Sequence, residues 1–448
     1  MRTPCPGVSL SRVLITRRTA LKAAVAAGIG AVAGQDPVLA AQAPIDPGLE
    51  RRIRSVIEDY GDQGFHRTAT DVDRRSGDWL FDSVLRVGLK PTRETFVVDR
   101  VDLADCHLVV GGRRVDGVPL FDGGFTGPDG VSGRFGPVGT DSEIGLVTAP
   151  PNTAAAGALG EARRQNRHKA LVCVTRGARP GLCLNNADSF LRPFGPPVLQ
   201  VSSVESSVLE QQAANGAGAQ LFATARRTRS ESFNVTTMLS GSAPELEPLV
   251  IMTPRSGWYA CASERGGGIA CWLELMRAFR QVRPLRDILF VASSGHELGH
   301  LGINVFAERR PGLVPRAVGW MHLGANIGAA TRSYQPPASA LNDPLQRGAV
   351  IAMGSGATIQ ASDDEGEAVV SRALSSAGLT VGRRVPRGTV PAGEAEVVHR
   401  GGGRYVSIIG TNGLFHHPDD RGLHTVDLTT IASFVAAFTN VARTWNAS

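Results

Sequence analysis

The sequence predicts an α/β protein: a mostly parallel, doubly wound sheet with a smaller α/β subdomain inserted into it. Three observations carry this. PLVIMT (248–253), DILFVASS (287–294), RAVGWMHL, GAVIAM (348–353) and YVSIIG (405–410) are short apolar runs without polar alternation; strands buried on both faces look like this. Helix-compatible segments separate them, which is the rhythm of a parallel sheet. Finally, 448 residues at 42% hydrophobic and 20% charged are enough for one large core or two to three of ordinary size.

Taken in order, residues 1–40 read as a twin-arginine signal peptide. Arg17 and Arg18, then Leu21 and Lys22, precede a weakly apolar Ala23–Gly34, and Val38 and Ala40 place small residues for cleavage after Ala40. The twelve residues from Ala23 to Gly34, at about 1.5 Å each, cannot cross a hydrocarbon core of roughly 30 Å. The expectation is export by the twin-arginine route to the periplasm or the extracellular space, with no transmembrane anchor after cleavage.

The charge balance follows from the leader. The chain carries 47 Lys and Arg against 41 Asp and Glu, but only Lys22, Lys90 and Lys169 are lysine, and the arginines form no basic face. Removing residues 1–40 removes five positive charges and one negative, which leaves 42 against 40, or +2. No nucleic-acid partner is expected. The cysteines left are Cys106, Cys173, Cys183, Cys261 and Cys271, with no CxxC pair. They read as small buried hydrophobes, with a Cys173–Cys183 bridge as the alternative.

Residues 44–105 form the N-terminal part of the main domain. Leu49, Ile53, Val56, Ile57 and Tyr60 share one helical face, and a second amphipathic helix spans about 71–88. Residues 106–230 form the inserted subdomain, rich in Gly, Asp and Pro at first and then alternating strands (IGLVTA, ALVCVT, PVLQVS, AQLFAT) with helices. The main α/β domain occupies 231–448. It closes on a helix with Leu428, Ile431, Val435, Phe438 and Val441 on one face and Asp427 as its cap.

Ligands of such sheets bind beyond the carboxyl ends of the strands. Thr253–Ser256, His296–Glu297, His322–Asn326 and His416–His417 all fall there. HELGH (296–300) fits HExxH, in which two histidines on one helix hold zinc and the Glu activates water. Here, however, His296 directly follows a buried strand and Ser293-Ser294-Gly295, which places it ahead of any helix. His300 is then expected on a helix surface or in a packing contact.

FNVTTMLSGSAPELEPLVIMTPRSGWY, SERGGGIACWLELMRAF, RDILFVASSGHELGHLG and GLFHHPDDRGLHTVD, in this order and spacing, resemble the di-zinc aminopeptidase family that includes aminopeptidase Y and glutamate carboxypeptidase. The resemblance covers nearly all of the chain after the leader. It implies a zinc-exopeptidase fold, with a protease-associated-type insert near 140–225. Position by position, it puts the family's first metal-ligand His on Thr253 and that residue's supporting Asp on Arg255. The bridging Asp falls on Glu264, and the Glu pair of base and ligand on His296 and Glu297. The second terminal Asp falls in HLGAN, where only Asn326 or a displaced His322 offers a donor, and the last His is His416. Two metals lose a ligand each, so the implied cofactor is at most one zinc ion, with Glu264, Glu297 and His416 as ligands and His296 as base; a degenerate site holds none. Two functions stay open at this point. One is a metal-dependent peptidase-like hydrolase of the aminopeptidase type, acting on a peptide or small amide. The other is a non-catalytic homologue that binds a peptide, glycan or protein.

Overall fold

The computed structural model describes residues 46–330 and 356–448. The leader and the GAVIAM segment lie outside the described residues. Helix α1 (Pro47–Gly61) starts where Asp46 accepts hydrogen bonds from the N–H groups of Gly48 and Leu49, with Pro47 at its first turn. Ile53, Val56, Ile57 and Tyr60 form its buried stripe, as their spacing requires. Helix α2 (Asp71–Val87) is capped by Thr70 and closed by Gly88, whose φ of 86° is left-handed.

The strands in chain order are β1 (Thr92–Val110), β2 (Arg113–Pro119), β3 (Val131–Pro137), β4 (Ile144–Ala149), β5 (Ala170–Thr175), β6 (Val198–Ser202), β7 (Gly218–Leu239), β8 (Leu249–Pro254), β9 (Ile288–Ser293), β10 (Gly319–Leu323), β11 (Gly356–Ala361), β12 (Thr380–Arg384) and β13 (Tyr405–Ile409). They pair in the order β1-β2-β6-β5-β4-β3-β7-β9-β8-β10-β13-β11-β12, and β1 also pairs with β7. The first seven strands therefore close into a ring. Helices α3 (Gly157–Gln165) and α4 (Ser206–Ala214) pack against it.

β1 and β7 are much longer than the sequence suggests. They form one antiparallel ribbon from Thr92↔Thr236 to Val110↔Ala219, with a bulge between Leu103 and Cys106. The part around residues 99–102 and 226–229 carries no apolar pattern, which hid it. It is held instead by polar pairs on Asp102: across the ribbon Arg226 lies 3.8 Å from it and the Thr228 hydroxyl donates to it at 2.6 Å, while Arg100, two residues away on the same strand, pairs with it at 2.7 Å.

The centre of the main sheet is parallel, β9, β8, β10 and β13 running the same way. Both of its faces are covered. Leu249 and Ile251 of β8 join the cluster built with α5 (Gly266–Gln281) and the closing helix Leu428–Ala447, including Trp272, Met276, Phe438 and Trp445. The alternate residues Val250 and Met252 join Ile303 and Phe306 of α6 (Leu301–Glu308) and Trp320 on the other face. This is the α/β, doubly wound architecture expected. Asp427 caps the closing helix, accepting from the Thr430 N–H at 3.0 Å. All five cysteines after the leader are free, so the alternative Cys173–Cys183 bridge is not formed; four are buried and Cys106 is half-buried. Among the described residues, no helix is long and apolar enough to cross a membrane.

Candidate functional site

The carboxyl ends of β8, β9 and β10 bring Thr253–Ser256, His296–Glu297 and His322 to one side of the sheet, as sheet geometry demands. HELGH does not sit in a helix. His296–Leu298 make a single 3-10 turn, His300 has φ 59°, and helix α6 begins only at Leu301. Cys261, His300, Asn326 and His416 are four of the seven non-glycine residues with positive φ among the described residues, so backbone strain gathers around this region.

Two groups of side chains form here. In the first, Glu394 is fully buried and clamps two histidines. Its Oε1 accepts from His296 Nδ1 at 2.9 Å and from the Ser293 hydroxyl at 3.2 Å, and its Oε2 accepts from His322 Nε2 at 3.1 Å. His322 Nδ1 then accepts from the Ser407 hydroxyl at 2.8 Å. Burial would raise the Glu394 carboxyl, but the two imidazoles beside it hold it well below its usual range. Burial, and then the nearby Arg265 charge, depress His296 to about 4. Gly393 is required at this clamp: its φ is +71°, and a Cβ there would lie 2.8 Å from the His322 ring.

The second group is built on Glu264 and Arg265, at the start of α5. The Arg265 Nη2 lies 2.7 Å from Glu264 Oε1, and both side chains are fully buried. Arg265 Nε donates to the Ser256 carbonyl at 2.8 Å. His416 Nε2 approaches the same Glu264 oxygen at 3.5 Å, while its Nδ1 donates to the Leu184 carbonyl at 2.6 Å. Glu297 Oε2 accepts from the hydroxyls of Thr68 at 3.0 Å and Ser256 at 3.1 Å. Burial pushes the Glu297 carboxyl up to about 7. Burial would do the same to Glu264, but Arg265, His416 and His296 together bring it below its ordinary value. The pocket leaves buried polar atoms without a hydrogen-bond partner: Glu264 Oε1, Glu297 Oε1, His416 Nε2 and both Nη atoms of Arg265.

The other expected positions are engaged elsewhere. Thr253 donates its hydroxyl to the Leu323 carbonyl at 2.9 Å. Arg255, at the position of the family's supporting Asp, is spent in a buried ion pair with Asp73 at 2.8 Å and also donates to the Phe233 carbonyl. The Asn326 side-chain oxygen accepts from Asn412 at 3.1 Å. His300 is buried, with its Nδ1 3.4 Å from Glu396, so of the two placements expected for it the packing contact is the one formed. His417 donates from Nε2 to the Pro180 carbonyl and accepts the Asp419 N–H at Nδ1, so it points away from the group.

Residues 182–187, between β5 and β6, roof the site. Besides the Leu184 carbonyl on His416, the Ala187 N–H donates to the Glu297 carbonyl at 2.8 Å, the Tyr259 hydroxyl to the Leu182 carbonyl at 2.8 Å, and the Trp258 indole to Asn186 at 3.0 Å. Glu394, Arg265 and this roof were not singled out from the sequence. Glu394 and the roof lie in loops without periodicity, whereas Arg265 directly follows Glu264 in SERGGG and was legible as a cation beside a candidate ligand.

Zinc takes thiolate, imidazole and carboxylate donors at about 2.0–2.3 Å. The carboxylate at the bridging position instead faces a guanidinium, Thr253 offers only a bonded hydroxyl, and both His322 nitrogens are occupied. These residues do not fit a pair of zinc ions. Among the described residues, one group of three potential ligands has donor atoms within 4.8 Å of one another: Cys261, Glu264 and Asp420. The Asp420 oxygens there already accept from Ser263 N–H, the Ser263 hydroxyl and Glu264 N–H, and burial holds the Cys261 thiol well above its ordinary range. A metal would have to displace that brace.

The fold defined by this sheet, with ligand positions at its strand ends, is that of the zinc aminopeptidases. BSAP, a zinc aminopeptidase from Bacillus subtilis, superposes with a TM-score of 0.67 at 14% identity, over 88% of this chain and 93% of that one. An aminopeptidase from Aneurinibacillus sp. strain AM-1 matches with a TM-score of 0.63 at 14% identity, over 88% and 93%. A peptidase M28 precursor from Shewanella amazonensis gives 0.65 at 14%, over 89% and 95%. No protein-family model matches the sequence, and no curated protein does.

Proposed function

We propose that this chain is an exported protein of the zinc-exopeptidase fold that binds a peptide or small amide without hydrolysing it. The observation that carries the reading is the buried Arg265–Glu264 ion pair, a cation belonging to the chain itself at the carboxylate on which a metal centre would be built. The neighbouring groups fit a binding role better than proton transfer. His296 is fixed on Glu394, and Glu297 is held by two hydroxyls under the roof segment. The peptide or amide partner is taken from the neighbours, whose names describe aminopeptidases. Export rests on the leader at 1–40, and the +2 charge of the remaining chain argues against nucleic acid.

The test is metal analysis of the full chain recovered after native export, together with hydrolysis of aminoacyl amides with and without chelator. The reading expects less than stoichiometric metal and no chelator-sensitive turnover. A second reading, a hydrolase with one altered metal site, is favoured by Glu297 Oε1 and His416 Nε2, buried without a hydrogen bond. Stoichiometric zinc, with turnover abolished by Glu297→Ala in a protein that still folds, would replace the first reading by the second.

A further inference from the structure

We infer that the Arg265 guanidinium is a built-in substitute for a metal ion, and that removing it uncovers a latent site for one divalent transition metal on Glu264 and His416, completed by Glu297. The inference rests on the binding reading above and deepens it. Three observations meet in the pocket. The first is spacing. Two donors held tetrahedrally by one zinc at about 2.1 Å sit about 3.4 Å apart, and Glu264 Oε1 and His416 Nε2 are 3.5 Å apart in a neighbourhood with no room for both a metal and Arg265 Nη2 at 2.7 Å.

The second is orientation. A backbone carbonyl can only accept, so the 2.6 Å contact to Leu184 fixes the proton of His416 on Nδ1. Nε2 is then a bare lone pair aimed at Glu264, which is how second partners prepare a ligating imidazole. The third is charge. Arg265 occupies the N-cap position of α5, where the helix macrodipole already opposes a cation. It is buried there against the Glu264 carboxylate, 2.7 Å from its Nη2, with its Nε donating to the Ser256 carbonyl. Besides the ion-paired Glu264 Oε1 and Arg265 Nη2, the pocket buries Glu297 Oε1, His416 Nε2 and Arg265 Nη1 without a hydrogen bond. With Arg265 in place, Glu264, Glu297 and His416 do not gather within 4.8 Å as a set.

The experiment compares wild type, Arg265→Ala and Arg265→Lys as full chains stripped with EDTA and desalted. Each is melted with and without excess zinc sulfate, and the metal retained after a second desalting is measured. Wild type and Arg265→Lys are expected to retain no zinc and to melt at the same temperature with or without it. Arg265→Ala is expected to melt lower without metal, to recover with zinc, and to retain about one zinc ion per chain, because metal binding becomes folding free energy. Adding His416→Ala to Arg265→Ala should abolish the retention. If Arg265→Ala does not fold without metal, it is refolded with zinc: recovery supports the inference, and failure in both conditions overturns it. Stoichiometric zinc in the wild type, or a folded Arg265→Ala indifferent to zinc, also overturns it. Metal-free hydrolysis by the wild type would sink the binding reading and leave this inference standing, so the two failures are distinguishable.

Discussion

Arg255 and Arg265 are both fully buried and each pairs with a carboxylate, at 2.8 Å and 2.7 Å, yet their surroundings differ. Arg255 also bonds two backbone carbonyls, and its partner Asp73 accepts from Ser232 and Ser294, so that pair braces α2, β7 and the end of β9 together. Beside it, His66 stacks on Tyr60 at 3.8 Å, and burial depresses its pKa to about 4. A depressed histidine binds its proton more weakly folded than unfolded. Its contribution is therefore complete above about pH 6.5 and is lost as the pH falls from there to about 4. His296 adds to the same window. His66→Phe, which keeps the stacking but cannot titrate, should lower stability at pH 7 and flatten its dependence on pH between 6.5 and 4, measured by urea unfolding at several pH values. A slope identical to wild type would contradict this. At this scale the sequence shows which residues stand at the strand ends, because order along the chain fixes that. It does not show what they touch: Asp73 and Glu394 reach their partners from residues remote in sequence, and no spacing encodes such a meeting.

The roof, residues 182–187, belongs at the scale of elements. It has no regular structure of its own and is held by four hydrogen bonds: Tyr259, Trp258 and His416 donate to it, and its own Ala187 N–H donates to the Glu297 carbonyl. Removing one buried partner leaves the other unsatisfied, at a cost of roughly 1–3 kcal/mol. Asn186→Ala should therefore speed amide exchange at Ala187 by one to two orders of magnitude by local opening, while strand β5 exchanges as in wild type; equal slowing or speeding of both would show that the roof is not a separate element. Element boundaries were readable where a cap or an apolar period marks them, as at Gly88 and Asp427. The ribbon of β1 and β7 was not, because its middle is held by Asp102 and its arginine and threonine partners, and charged cross-strand pairing leaves no hydrophobic alternation to read.

Over the whole molecule, Pro44–Ser448 form one compact unit, but the apolar core is in parts. The ring has its own clusters, around Phe135, Val172 and Leu209 on one side and Leu159, Leu171 and Cys173 on the other, separate from those of the main sheet. α/β class and sheet character could be read from the apolar runs, whereas closure of the ring depends on which edges meet and leaves no trace in any one segment. The ribbon that joins the parts pairs residues as far apart as Thr92 and Thr236. Contacts so distant in sequence form slowly, since loop closure must precede their reward. The order of events during folding follows. The ring strands β4, β5 and β6, close neighbours in sequence, should acquire exchange protection first in a pulse-labelling experiment, and Ala187 among the last; simultaneous protection would refute the sequence of steps. On that order Leu184 should reach His416 only after the ribbon has closed and the pocket around Arg265 should be assembled at the end of folding, so that late interval is when a competing cation would meet its donors before the roof is in place.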